Sequence, residues 1–188
     1  MEKKSKEGKG KILKDIELPN GIGASIHNNT LVIKSQSDEV SKEFKQRNIS
    51  ITVHDNKITL ESERSVKEDK KIIGSVAAHI RNMLSGVQQK HMYILKICSG
   101  HFPMNVSISN NKLFVKNFLG EKVPRTLNLK PGADIKIEGD LIYVNSTNKE
   151  TAGQISADIE QLTRRPGYDT RVFQDGVYLI NKDGKELK

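Results

Sequence analysis

Tryptophan is absent from this chain, cysteine occurs once, and only 35% of the 188 residues are hydrophobic. The single Cys98 rules out an intrachain disulfide. Its mostly apolar alternation, Tyr93-Ile94-Leu95-Lys96-Ile97-Cys98, reads as a strand carrying a buried structural thiol, not a catalytic one. No apolar run approaches the roughly 18–20 residues that a transmembrane helix needs. The lysines near the start are followed only by Ile12-Leu13, which is too little for a signal-peptide core. A soluble protein that stays in the compartment where it is made is therefore expected. With so little apolar material, the length suits one ordinary domain or two small ones with modest cores.

Recognisable chemistry is scarce as well. Cys98, His101 and the upstream His91 form a cluster of potential metal ligands, but structural zinc wants four ligands in two tight pairs and no second pair follows. His79 lies beside an apolar helical stripe and reads as partly buried; His27 and His54 fall in or beside turns and read as exposed. Gly8-Lys9-Gly10-Lys11 and Gly21-Ile22-Gly23 lack the strand and the Ser/Thr of a phosphate loop. Carboxylates alternate with cations, as in Glu61-Ser62-Glu63-Arg64, which describes a solvated face and not an acid–base pair. The expectation is no catalysis, no cofactor, no metal and no small-molecule substrate.

What the chain does have is positive charge. The 31 Lys+Arg against 23 Asp+Glu give a net +8 and favour a polyanionic partner, because neutralised phosphates release counterions. Residues 1–14 (MEKKSKEGKGKILK) hold six of the lysines against two glutamates and read as a basic arm. A merely solvated tail and direct RNA contact are both open for it.

The remainder repeats itself. Residues 25–34 (SIHNNTLVIK) align with residues 107–116 (SISNNKLFVK), each a strand, an Asn-Asn turn and a strand. Residues 51–60 (ITVHDNKITL) align with residues 135–144 (IKIEGDLIYV), a second hairpin. A helix then follows in each half. Ile73, Val76, Ala77, Ile80 and Leu84 share one face in the first, with Gly86 as a stop; Ala152, Ile155, Ile159 and Leu162 share one in the second. Three matched blocks in one order indicate internal duplication. The expected architecture is α+β: a basic arm at 1–14 and two similar domains at 15–91 and 92–188, each a small antiparallel sheet packed with one helix.

The halves differ in charge. Residues 15–92 carry 11 basic and 10 acidic groups, residues 93–188 carry 14 and 11. Within residues 112–130, Lys112, Lys116, Lys122, Arg125 and Lys130 face Glu121 alone, whereas the matching stretch of the first half mixes Asp38, Glu39 and Glu43 with its lysines and Arg47. After the second helix come Arg164, Arg165 and Arg171 together with Tyr168 and Phe173: guanidinium forks suited to phosphate beside rings that can stack. RNA is the expected partner and the second half its expected site, although lysines also serve to solvate an edge strand.

Three stretches carry a family resemblance: His101-Phe102-Pro103-Met104-Asn105-Val106, Val115-Lys116-Asn117-Phe118-Leu119-Gly120-Glu121-Lys122, and Asp169-x-Arg171-x-Phe173-x-Asp175-Gly176-x-Tyr178. With Ile80-Arg81-Asn82-Met83-Leu84-Ser85-Gly86-Val87, they resemble the large-subunit ribosomal protein L-six family in its archaeal form, and its eukaryotic counterpart called protein L-nine. The resemblance covers nearly everything after residue 15. It implies a duplicated fold and a seat on large-subunit rRNA near the sarcin–ricin loop and the stalk base, beside the factor-binding region, among neighbouring ribosomal proteins. It also implies rRNA contact by Lys116, Asn117, Lys122, Arg125, Arg164, Arg165, Tyr168, Arg171 and Gln174. The Pro-Glu-Pro-Tyr and Gly-Lys-Gly tail of bacterial members is absent, and the lysine-rich start is longer than usual. A free RNA-binding adaptor built from the same modules is the alternative reading.

Overall fold

The computed structural model describes residues 11–45, 48–54, 56–64, 66–169 and 171–187. Residues 1–10 of the expected arm, Arg47 of the first-half charge pattern and Asp55 of its second turn lie outside the described residues. The chain divides into two units, Met1–Gln88 and Gln89–Lys188.

In the first unit, β1 (Ile12–Glu17), β5 (Ile49–His54) and β6 (Lys57–Ser62) form one antiparallel sheet in the order β1-β6-β5. A second sheet joins β2 (Gly23–His27), β3 (Thr30–Lys34) and β4 (Glu39–Glu43) in chain order. Helix α1 (Lys67–Gln88) packs against strands of both. Its Ile73, Val76, Ala77, Ile80, Leu84 and Val87 recur at three- and four-residue steps and are all buried. They meet Leu31, Ile33, Ile58 and Leu60 in a single core. The helix runs through Gly86, the expected stop, because burying Val87 below it outweighs the roughly 1 kcal/mol helix penalty of glycine.

The second unit repeats the plan with additions. Its strands are β7 (His91–Cys98), β8 (Asn105–Ser109), β9 (Lys112–Lys116), β10 (Arg125–Asn128), β11 (Asp134–Glu138) and β12 (Leu141–Ser146). Then come α2 (Lys149–Leu162), β13 (Gly176–Lys182) and β14 (Lys185–Glu186). One sheet has the order β10-β9-β8 and the other β11-β12-β7-β13-β14. Helix α2 buries Ala152, Ile155 and Ile159 against Leu95, Ile142, Val144 and Val177. Asn148 starts that helix, its side chain accepting the Glu150 N–H at 2.9 Å.

The duplication reaches single atoms. Asn28 and Asn29 have φ of 46° and 65°, Asn110 and Asn111 φ of 50° and 57°. Both pairs supply the left-handed conformation that a two-residue hairpin turn needs at its two central positions. Beyond each turn the next strand is secured in the same way: Phe44 N–H donates to the Asn29 carbonyl at 2.8 Å, Leu129 N–H to that of Asn111 at 2.9 Å. The central strands also end alike. Ser62 and Ser146 are both buried and accept a backbone N–H two residues on, from Arg64 at 3.3 Å and Asn148 at 3.1 Å.

Several expectations change in detail. Each half holds two sheets, so its two hairpins belong to different sheets. Ile12, Leu13 and Lys14, assigned to the basic arm, are strand residues paired with Ser62, Glu61 and Leu60. His91, assigned to the first domain, opens β7 in the second unit. Cys98 is half-buried at the end of β7. The basic stretch after β9 contains a strand, β10, paired with β9 from Arg125↔Val115 to Asn128↔Lys112.

A candidate nucleic-acid interface

The units diverge most where β3 and β9 hand on to their next strands. Between β3 and β4 the chain needs only residues 35–38, closed by Ser35 N–H to the Asp38 carbonyl at 2.9 Å. Between β9 and β10 it takes residues 117–124 and makes a tight 3-10 turn at Phe118–Gly120. Asn117 (φ 59°), Leu119 (φ 47°) and Gly120 (φ 77°) are all left-handed there. Such a conformation is unusual for leucine and is held by the burial of Phe118 in the core.

Arg125 explains the shape of this loop. Its guanidinium forks onto Glu121, Nε to Oε2 at 2.8 Å and Nη2 to Oε1 at 2.7 Å. Its Nη1 donates to the Leu162 carbonyl at the end of α2 at 2.7 Å, and the group lies 4.3 Å from the Phe118 ring centroid. The hydrogen bonds from Arg125 hold the Glu121 carboxyl below its usual range. Arg125, expected to contact RNA, is thus turned inward as an anchor between loop and helix.

Past α2 the described residues up to Gly176 form neither helix nor strand. Thr163, buried, ties that exit to the sheet: its hydroxyl accepts Val177 N–H at 2.9 Å and donates to the Glu160 carbonyl at 3.1 Å. Farther on, the Asp169 carboxylate takes Arg171 N–H at 2.9 Å and its guanidinium at 2.8 Å, while the Asp169 carbonyl accepts Phe173 N–H at 2.9 Å. The hydrogen bonds from Arg171 lower the Asp169 carboxyl. Buried Asp175 receives Gly100 N–H at 2.7 Å and His101 N–H at 3.0 Å, and its other oxygen bonds His101 Nδ1. Burial alone raises such a carboxyl, but these bonds from His101 and Gly100 overcome it and hold Asp175 below its usual value. At Gly176 the chain passes close to the Tyr178 ring: a Cβ there would stand 3.2 Å from it, so the ring would have to shift slightly to admit a side chain.

Three segments, 99–104, 117–124 and 163–176, therefore knit together. Asn117 Nδ2 donates to the Pro103 carbonyl at 3.0 Å, and a Cβ added at Gly120 would meet the Phe102 ring at 3.7 Å. His101 stacks on Phe173 with centroids 5.1 Å apart, and Tyr168 meets Phe173 edge-on at 4.9 Å. Arg165 lies 4.4 Å from the Tyr168 centroid and 3.6 Å from Glu121 Oε1, returning the circuit to its start. A cleft of about 520 Å³ lies between the Phe118–Leu119 turn and the exit of α2, lined by Phe118, Leu119, Arg164, Arg165, Tyr168 and Phe173 among others.

The expected site residues divide into groups. Arg164, Arg165 and Tyr168 share the cleft, whose lining also includes Phe118 and Leu119, not among the expected residues. Lys116, Asn117 and Lys122 are exposed on the adjoining loop, and Lys112 is exposed at the far end of β9 beside the Asn-Asn turn. Arg171 is exposed but paired with Asp169. Gln174, also exposed, donates to the Arg171 carbonyl at 3.4 Å. Lys130 pairs with Asp158 of α2 at 3.1 Å, away from that cluster. Sequence reasoning missed His101 and Asp175 as partners because they are 74 residues apart. The other histidine of the discounted metal cluster, His91, is buried and bonded to Asp183 at 2.9 Å, which Lys149 also bonds at 2.8 Å.

Known proteins match along this same duplication. The family model described as ribosomal protein L6 matches residues 18–90 and again residues 102–176. A large ribosomal subunit protein uL6 from Methanobrevibacter smithii is 41% identical over 172 residues, covering 92% of this chain and 97% of its own. Its counterpart from Methanococcus vannielii is 38% identical over 176 residues, covering 94% and 97%. That from Methanocella arvoryzae is 36% identical over 171 residues, covering 90% and 97%. With the family model matching two segments of the chain and relatives this similar along nearly their whole length, the chain belongs to the ribosomal protein L6 family.

Proposed function

We propose that this protein is a structural constituent of the large ribosomal subunit. Its second unit binds large-subunit rRNA near the sarcin–ricin loop and the stalk base and so supports the translation-factor-binding region. It works without catalysis, in the cytoplasm, on the ribosome, against rRNA and neighbouring ribosomal proteins. The observation that carries the reading is convergence. Phe118 and Leu119 line one cleft of a family member with Arg164 and Arg165, although far apart from them in sequence, and exposed Lys116 and Lys122 stand on the adjoining loop. Arg164, Arg165, Lys116 and Lys122 supply positive charge for phosphates, Asn117 and Gln174 polar contacts, Tyr168 a ring face, and Arg171 and Lys112 outlying charge. Arg125 and Lys130 serve mainly to hold the loop and α2. Recognition of this kind follows the shape and phosphate geometry of folded RNA more than base identity.

Co-sedimentation tests it directly. The native protein is expected to travel with large subunits through a high-salt wash. Recovery only in fractions free of subunits, still bound to other RNA, would instead establish the adaptor reading.

A further inference from the structure

Two acidic side chains, Asp175 and Glu121, sit within a surface proposed above to bind a polyanion. By charge alone each opposes RNA. Their contacts give them another task. Asp175 fastens the 99–101 turn to the start of β13 through both backbone amides and the His101 ring. That ring stacks on Phe173, Phe173 braces the edge of Tyr168, and Tyr168 lies under the Arg165 guanidinium. Glu121 holds Arg165 from the opposite side while forking onto Arg125. The segment from Arg164 to Asp175 has no helix or strand among its described residues, so side-chain contacts do the holding that ladder hydrogen bonds do elsewhere.

We infer that Asp175 is a positioning residue for the RNA surface: by clamping His101 it sets Phe173, Tyr168 and Arg165 in place before RNA arrives. This rests on the interface reading above. Ordering these rotamer-rich groups in the free protein removes a cost that binding would otherwise carry. Asp175 is nearly sealed from solvent, its side chain 3% exposed, so it is itself no RNA ligand. Electrostatics and positioning then predict opposite signs for one substitution. Removing a negative charge from a polyanion-binding unit tightens binding if charge is what matters. It weakens binding if the carboxylate is a clamp.

The test is a salt titration of the full-length protein against transcribed large-subunit rRNA. Arg164→Ala removes a direct contact and should lower the log–log salt slope by about 0.7–0.9. Asp175→Asn should weaken binding roughly tenfold at every salt concentration, the scale on which lost preorganisation acts, with the slope unchanged. Phe173→Leu should do the same, while Phe173→Tyr, which keeps both ring contacts, should bind as the parent does. These two decide the matter if Asp175→Asn loses cooperative unfolding. Asp175→Asn binding as tightly as the parent or tighter, beside a lowered slope for Arg164→Ala, overturns the positioning role and leaves the interface standing. An unchanged slope in Arg164→Ala removes the interface and the inference together.

Discussion

The two units share a scaffold and differ in what is hung on it. Their central strands show nearly the same burial alternation and end on the same buried serine, and their hairpins turn on the same asparagine pair. The first unit links β3 to β4 with a minimal turn. The second spends residues 117–124 on the equivalent link, adds β13 and β14, and inserts an irregular segment between α2 and β13. Every residue proposed to touch RNA lies in the second unit, nearly all of them in or beside those additions. On the proposed reading, duplication supplied a spare framework, and the RNA surface is carried by loops that the framework tolerates.

Separating the units is the bluntest way to break this comparison. Each has its own buried core, so residues 89–188 and 11–88 can be made and tested apart. Residues 89–188 should bind large-subunit rRNA at least on the order of a hundredfold more tightly than residues 11–88, given that affinity follows the number of phosphates neutralised. Filter binding at fixed salt measures it, and equal affinities would end the division of labour.

A sharper contrast separates arginines within the second unit. Arg125→Ala should destabilise that unit by about 1–3 kcal/mol, since it leaves Glu121 and the Leu162 carbonyl without their donor. Exposed Arg164→Ala should stay within about 0.5 kcal/mol. Denaturant unfolding distinguishes the two. If they destabilise equally, Arg125 is not the anchor its contacts describe.

Sequence patterns recovered the duplication, both helices and the inner hairpins, because buried alternation and apolar helical spacing are local signals. They failed where local signals conflict with context. Lys11 and Lys14 flank Ile12-Leu13 and make the start of β1 look like part of the basic arm, although Ile12 packs against the core. β4 contains Val40 as its one fully buried residue, and β10 has no fully buried residue at all, so neither announces a strand. The site was visible as charge but not as geometry. Composition could not distinguish Arg125, turned inward, from Arg164, turned outward, nor could spacing bring His101 to Asp175.

The misassigned arm yields the smallest effect. Removing residues 1–10 should leave the first unit's unfolding transition where it is and weaken RNA binding modestly. Removing residues 1–14 strips half of β1, with Ile12↔Ser62 and Lys14↔Leu60 among the lost pairings, and should lower the melting temperature by several degrees, on the order of 4–8 °C per kcal/mol lost. Identical melting temperatures would mean that β1 contributes nothing to the first unit.

Strand order in the larger sheet sets a timetable. β7 is the first strand of the second unit to be synthesised, yet it lies between β12 and β13, and β13 emerges only after α2 and the whole 163–175 segment. The polar tie of His91 at the head of β7 to Asp183 beyond β13 closes at the same late moment. The first unit can fold while the second is still being made, whereas the second remains open until nearly its last residues are released. Its proposed RNA surface depends on β13 through Thr163 and Asp175. A nascent chain stalled or cut before β13 therefore has every strand and the helix of the first unit but lacks the strand to which the proposed binding surface is fastened.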